Sequence, residues 1–123
     1  SLGGFYAAWI AARTGMRAAL LNPAVAPWEI VRHYNGEYKS FTGDKTVRVT
    51  PEYAGLLREM DAAPFADPAR VLMLLTTGDE VLDWRAAAHR YPDVQSIVIE
   101  GSDHRITCFE DYAAGVRDFL LAG

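Results

Sequence analysis

The sequence predicts an α/β fold with a mostly parallel sheet flanked by helices, and three observations support it. Residues 71–75 and 96–99 are nearly unbroken apolar runs, as expected for strands buried on both faces. Segments with apolar residues at helical spacing separate these runs. The chain has 123 residues, 50% of them hydrophobic, which is enough for one domain with one core. In such a sheet, ligands collect at the carboxyl ends of the strands.

The first half of the chain predicts a helix, a strand and a turn-rich region. Leu2, Phe5 and Trp9 recur at helical spacing up to about residue 14, where Gly15 is a natural stop. A strand is predicted over 18–21, ending at Asn22-Pro23, and a helix over 27–34. A turn-rich region with turn signals at Asn35-Gly36 and Thr42-Gly43-Asp44 follows, and its alternating segment over 46–49 suggests a hairpin. Thr50-Pro51 then opens a helix that runs to about residue 60.

The second half of the chain has a clearer pattern. It predicts a strand over 71–75, a helix over 83–91, a strand over 96–99 and a terminal helix over 109–121. Thr107 followed by Glu110 fits a capping box at the start of the last helix. Helices and strands therefore alternate, as in a parallel sheet covered on both faces.

Composition and charge exclude several classes of protein. The net charge is −4 and the 12 Lys and Arg residues are scattered, so we expect no nucleic-acid partner. No apolar run reaches the ~20 residues that span a bilayer, so we expect no membrane partner. The single cysteine, Cys108, excludes an intrachain disulfide and is compatible with a reducing compartment, so a cytoplasmic location is the default expectation. Neither a G-x-G-x-x-G motif nor metal-site spacing occurs, so no cofactor and no metal are expected.

Three residues with complementary chemistry fall at predicted strand ends. Ser1 precedes the first helix, Asp79 follows the strand over 71–75, and His104 follows the strand over 96–99. A serine hydroxyl becomes a nucleophile when an imidazole accepts its proton, and a carboxylate must fix the tautomer of that imidazole. We therefore expect Ser1 as nucleophile, Asp79 as acid and His104 as base, in a chain order known for this architecture.

The residues after Ser1 fit a tight turn from a strand into a helix. Gly3 and Gly4 carry no side chain that would obstruct packing of the helix against the sheet, so S-L-G matches the second half of a G-x-S-x-G nucleophile elbow. The N–H of Leu2, at the helix N-terminus, is expected to donate to the oxyanion of an acyl intermediate.

Other residues are weaker candidates for functional roles. Asp103 adjoins the histidine and would have to fold back sharply to orient its ring, and Asp83 is expected to cap the next helix. Cys108 does not lie in a nucleophile-elbow motif, and we expect it to be a half-buried packing residue. Phe5 and Trp28 are more typical of a core, yet they follow strand ends closely and are candidates to contact an acyl chain.

Five segments, SLGGFYAAWIA, LLNPAVAPWEIV, FTG, LTTGDEVLDWR and EGSDH, resemble the bacterial YqiA-type esterases of the α/β-hydrolase superfamily in order and spacing. The resemblance covers essentially the whole chain. It implies the C-terminal portion of an α/β-hydrolase fold and a serine hydrolase acting on acyl esters, with Ser1, Asp79 and His104 as its triad. It also places Asn22 in a segment beside the active site, which makes Asn22 a candidate for substrate binding.

The same resemblance implies a further N-terminal portion, with the first strands and the loop that donates a second oxyanion amide. We therefore expect residues 1–123 to form a single domain that lacks its N-terminal strands and has little activity alone, because one oxyanion donor is worth about 10²–10³ in rate. The exposed sheet edge would favour a homodimer.

Three alternatives to an ester hydrolase stay open. The first is an acyl-CoA thioesterase that uses the same residues. The second is a non-catalytic α/β binding module in which the serine is incidental. The third, a hydrolase that uses the Ser1 amine as base, would need an antiparallel sheet, which the pattern does not predict.

Overall fold

The computed structural model describes residues 1–33, 36–39, 42–61 and 64–122, which form two compact units. The first unit comprises Ser1–Val25 and Ala62–Gly123, and the second comprises Ala26–Asp61. The helices are α1 (Leu2–Thr14), α2 (Pro27–Val31), α3 (Pro51–Glu59), α4 (Trp84–Arg90) and α5 (Glu110–Leu121). The strands are β1 (Ala18–Leu21), β2 (Gly36–Lys39), β3 (Thr46–Val49), β4 (Val71–Thr76) and β5 (Gln95–Ile99).

The first unit is built on a three-stranded parallel sheet in the order β1-β4-β5. Leu20 is in register with Met73, and Met73 with Ser96, so β4 is the central strand. All residues of β4 are buried, as expected for a strand covered on both faces. The predicted α/β class, with a parallel sheet flanked by helices, is confirmed. The homodimer through a sheet edge stays a prediction.

Neighbouring residues of β4 serve opposite faces of the sheet, because side chains alternate across a strand. Met73 and Leu75 belong to a hydrophobic cluster with residues of α1 and α4. Leu72 and Leu74 belong to a second cluster with Val116 of α5. Truncating a side chain in such a core costs about 2–5 kcal/mol. The loop that follows β4 therefore extends from a strand that is packed on both faces.

Helix α1 ends as predicted at Gly15. That residue has a φ of 72°, in the left-handed region that favours glycine, and its N–H donates to the carbonyl of Ala11 at 2.9 Å. Ala8 and Ala11 are buried, and their small side chains let the helix lie close to the sheet. Asp83 caps α4 as predicted, because its carboxylate accepts from the N–H of Arg85 at 3.0 Å.

Helix α5 begins one residue later than predicted and without the predicted capping box. Its N-cap is Phe109, which makes no side-chain capping bond. The N–H of Thr107 instead donates to the carboxylate of Asp103 at 3.0 Å, and Ile106 has a φ of 54°. The predicted capping box between Thr107 and Glu110 is wrong, because residues 103–107 form a separate turn in which the Asp103 carboxylate accepts the hydrogen bond.

The second unit contains an antiparallel hairpin formed by β2 and β3, in which Tyr38 is in register with Val47. The predicted strand over 46–49 is confirmed. Asn35 of the predicted Asn35-Gly36 turn lies outside the described part of the chain, and Gly36 is the first residue of β2. The predicted turn at Thr42-Gly43-Asp44 lies between β2 and β3, whereas Phe41 of the FTG segment lies outside the described residues.

Two helices complete the second unit. Helix α3 follows its N-cap Thr50 as predicted, whereas α2 ends at Val31 and is shorter than the predicted helix over 27–34. Tyr34, the last residue of that prediction, also lies outside the described residues. The guanidinium of Arg58 in α3 lies 5.8 Å from the ring centre of Trp28 in α2, close enough for a cation–π contact.

No described helix is long and apolar enough to cross a lipid bilayer. Within the same residues, no group of three or more His, Cys, Asp and Glu side chains is arranged to hold a metal ion.

Candidate active site

The structure brings together two of the predicted site residues, Asp79 and His104. They lie on the loops that follow β4 and β5, which are neighbours in the sheet. The Nδ1 atom of His104 is 2.8 Å from Oδ2 of Asp79. The Asp79 side chain is only 1% exposed and that of His104 is 17% exposed. One ring edge of the histidine is therefore held against a buried carboxylate.

Backbone donors hold the carboxylate of Asp79 in a fixed orientation. Its Oδ1 atom accepts from the N–H of Val81 at 2.8 Å and from that of Leu82 at 2.9 Å, which leaves Oδ2 for His104. Burial alone would raise the pKa of Asp79, but the hydrogen bonds from His104, Leu82 and Val81 together lower it below its usual value. Asp79 is therefore ionised at neutral pH.

The alternative acid, Asp103, has a different partner. Its carboxylate accepts from the N–H of Thr107 and turns the chain toward α5. Asp79, rather than Asp103, is the carboxylate in contact with the imidazole of His104. Cys108 is partly buried beside the second hydrophobic cluster, with its Sγ atom 3.4 Å from the hydroxyl of Ser102, in agreement with a packing role.

Ser1 is exposed and directly precedes α1. Its carbonyl accepts from the N–H of Ala24 at 2.8 Å, which fixes the start of the helix to the loop after β1. Ser1 and His104 are both among the described residues, and no hydrogen bond joins the Ser1 hydroxyl to His104.

The two glycines of the predicted elbow differ in their surroundings. A Cβ atom on Gly4 would lie 2.7 Å from Cβ of Pro23, so only glycine allows this approach of α1 to the loop after β1. A Cβ atom on Gly3 would meet no described atom within 4 Å. Leu2 is the first residue of α1, where a helix leaves its N–H without an acceptor of its own.

The loop that carries Asp79 lies close to the loop that carries His104 at Gly78. A Cβ atom on Gly78 would lie 2.7 Å from the carbonyl oxygen of Ser102 and 3.0 Å from that of Gly101. Both neighbours are backbone atoms and cannot rotate away. The glycine in the T-T-G-D segment therefore allows the Asp79 carboxylate and the His104 imidazole to meet.

Replacement of Gly78 by alanine is expected to lower the free energy of unfolding by about 1–3 kcal/mol, because backbone must shift to admit the methyl group. Gly115→Ala in α5 is the matched control: its Cβ would meet nothing within 4 Å. Alanine is the better helix former by about 0.8–1 kcal/mol, so the control should be neutral or stabilising. Urea unfolding measures both, and an unchanged stability of Gly78→Ala would contradict the close approach.

The three candidates for substrate contact lie in different surroundings. Phe5 is 1% exposed and packs edge-on against Tyr6. Asn22 is 3% exposed, and its amide is bonded to Thr76 and to the loop of His104. Trp28 belongs to the second unit. Their roles toward substrate stay predictions.

Sequence reasoning missed two residues around His104. Glu80 accepts from the backbone N–H of His104 at 3.2 Å. Thr76 is fully buried at the end of β4 and donates its hydroxyl hydrogen to the carbonyl of Asp103 at 2.9 Å. The sequence signal that could have revealed this network is Thr76, because a polar residue at the end of a buried apolar strand needs a hydrogen-bond partner.

The parallel sheet, with Asp79 and His104 on successive strand-end loops, is the arrangement of the α/β-hydrolase fold. The model of the Uncharacterised protein family (UPF0227) matches residues 1–121, so the chain belongs to that family. This is the family of the YqiA-type esterases, and the resemblance found in the sequence is confirmed.

Solved structures of one esterase share this fold. The chain matches Est1E from Butyrivibrio proteoclasticus with a TM-score of 0.64 and 20% identity, covering 98% of this chain and 57% of that one. A structure of Est1E with bound ferulic acid matches with a TM-score of 0.66 and 20% identity, covering 98% of this chain and 56% of that one. The chain thus spans a little over half the length of these proteins.

Proposed function

We propose that this protein is a serine hydrolase that cleaves acyl esters, with Ser1 as nucleophile, His104 as general base and Asp79 as the acid that orients it. The observation that supports the proposal most is the 2.8 Å contact between His104 Nδ1 and Asp79 Oδ2 at the ends of neighbouring parallel strands. Membership of a family with YqiA-type esterases and a fold shared with Est1E agree with it.

The first half-reaction acylates the serine. His104 Nε2 accepts the hydroxyl proton as Ser1 Oγ attacks the acyl carbonyl carbon, and the carbonyl oxygen becomes an oxyanion. The Leu2 N–H donates to that oxyanion at the start of α1, where the helix dipole also favours negative charge. The tetrahedral intermediate collapses, and the leaving alcohol takes the proton from His104. The acyl group remains on Ser1 as an ester.

The second half-reaction releases the acid. A water molecule gives its proton to His104 Nε2 and attacks the acyl carbonyl, and Ser1 Oγ recovers the proton as the carboxylic acid leaves. The role of Asp79 follows from its lowered pKa: the carboxylate stays ionised, accepts from Nδ1–H of His104 and leaves Nε2 free as the base.

A hydrolysis assay on the intact protein tests this proposal. Wild type and Ser1→Ala are compared on a nitrophenyl ester and on an acyl-CoA thioester, the second followed by release of free thiol. Hydrolysis of the nitrophenyl ester by wild type and its loss in Ser1→Ala are expected. Hydrolysis of the thioester alone would favour a thioesterase. Equal rates for both proteins would overturn the proposal and favour a binding module.

A further inference from the structure

A buried polar network joins the ends of β1 and β4 to the loop that carries His104. Asn22, at 3% exposure, and Thr76, at 0%, are the two polar residues that are buried in the described part of the chain. Burying an amide and a hydroxyl costs free energy unless each finds partners. These two side chains therefore call for an explanation beyond packing.

The two side chains satisfy each other first. Oδ1 of Asn22 accepts from the N–H of Thr76 at 3.0 Å, and Nδ2 of Asn22 donates to Oγ1 of Thr76 at 2.9 Å. This reciprocal pair fixes the amide plane of Asn22 and the hydroxyl rotamer of Thr76. One N–H of the amide and the hydroxyl hydrogen of Thr76 remain available for other acceptors.

Both remaining hydrogens point to the backbone around His104. Nδ2 of Asn22 donates to the carbonyl of His104 at 3.0 Å, and Oγ1 of Thr76 donates to the carbonyl of Asp103 at 2.9 Å. These carbonyls belong to the peptide groups on either side of the His104 Cα atom. The backbone N–H of His104 donates to Oε2 of Glu80 at 3.2 Å. Fixing both peptide groups fixes the direction of the Cα–Cβ bond and thus the root of the imidazole.

The backbone of Asn22 gives an independent indication that this residue type is required. Its φ is 43°, in the left-handed region where asparagine is several-fold enriched among residues other than glycine. Its own N–H continues the sheet by donating to the carbonyl of Leu74 at 2.9 Å. An unfavourable backbone conformation is thus held where it turns the amide toward the loop of His104.

We propose that Asn22 and Thr76 are positioning residues that clamp the two peptide groups flanking His104 and so hold its imidazole in line for proton transfer. The proposal rests on the proposed function, because it assigns His104 the role of base. It gives the Asn22 amide a role toward the protein rather than toward the substrate. Neither side chain touches the reacting atoms.

The isosteric variant Thr76→Val tests the clamp, because it removes the hydroxyl and keeps the shape and strand preference of the side chain. We expect kcat for the nitrophenyl ester to fall about 10- to 100-fold, since a small misplacement of a catalytic group costs this much. KM should stay unchanged. Thr76→Ser, which restores the hydroxyl, should recover most of the rate. Thr14→Val, whose hydroxyl bonds only within and just after α1, is the control and should keep the wild-type rate.

A spectroscopic readout separates positioning from stability. The proton between His104 Nδ1 and Asp79 should give a downfield, slowly exchanging NMR resonance in wild type and Thr76→Ser. It should be broadened or lost in Thr76→Val, while the rest of the spectrum stays folded. Asn22→Asp, which keeps the acceptor for the Thr76 N–H and loses the donor to the His104 carbonyl, is a second variant with the same expected loss.

The outcomes distinguish the clamp from the function on which it rests. If wild type shows no Ser1-dependent hydrolysis but Thr76→Val loses the resonance, the proposed function is overturned and the clamp stands. If hydrolysis depends on Ser1 but Thr76→Val and Asn22→Asp keep both kcat and the resonance, the clamp is overturned. A loss of thermal stability with unchanged kcat per folded molecule would also overturn it, because that is a structural role alone.

Discussion

Replacing His104 by alanine is expected to lower kcat for a nitrophenyl ester by about 10⁶-fold, and adding Ser1→Ala to that variant should cost almost nothing more. The reason is that, in the proposed mechanism, Ser1 as nucleophile and His104 as base act as one unit. Without the imidazole the Ser1 hydroxyl keeps its proton, and without the hydroxyl the imidazole has no proton to accept. Steady-state rates of the two single variants and the double variant measure this.

The control for this prediction is His89→Ala. His89 is exposed in the last turn of α4, and its replacement should leave kcat unchanged. If the losses of Ser1→Ala and His104→Ala instead multiplied in the double variant, the two residues would act independently. That result would contradict a shared proton transfer.

The substitution Asp79→Asn is expected to lower kcat by about 10⁴-fold with little change in shape. The contacts of Asp79 fix how an asparagine would sit there. Val81 and Leu82 donate to Oδ1, so the new carbonyl oxygen must stay at that position and the new NH₂ must face His104. His104 Nδ1 would then have to accept a hydrogen bond from that NH₂ group, so the ring proton would lie on Nε2. Nε2 could then no longer accept the proton of the Ser1 hydroxyl.

Asp83→Asn is the matched control, because Asp83 lies four residues further along, is exposed, and caps α4. It should keep the wild-type kcat. The pKa of Asp79 is lowered by folding, so its contribution to stability is present above its unfolded-state pKa and is lost as the pH falls through the lower folded-state pKa. Asp79→Asn should remove that contribution, and a kcat equal to wild type would contradict the role of Asp79.

Much of the fold was predictable from local pattern. The run that forms β4 is apolar throughout because both of its faces are covered, and the glycine at position 15 marks the end of α1 because only a left-handed residue fits there. The meeting of Asp79 with His104 was predictable too, since adjacent parallel strands end at one edge of the sheet. Each of these features depends on residue type and order alone.

The support around His104 was not predictable in the same way. The partners of Asn22 are Thr76, which lies 54 positions away, and two backbone carbonyls, which carry no sequence signal. The turn that replaced the capping box depends on the positive φ of Ile106, which is unusual for a β-branched residue. These contacts and this backbone conformation are imposed by the tertiary fold, so the local conformational propensities of the residues do not predict them.

The most direct test of the shared role of Ser1, Asp79 and His104 is the reaction of the intact protein with a fluorophosphonate, followed by mass mapping of the labelled peptide. An activated serine forms a covalent adduct with this reagent. We expect an adduct on Ser1 in wild type and none in His104→Ala. An adduct on another serine, such as Ser102, or no adduct at all, would contradict it.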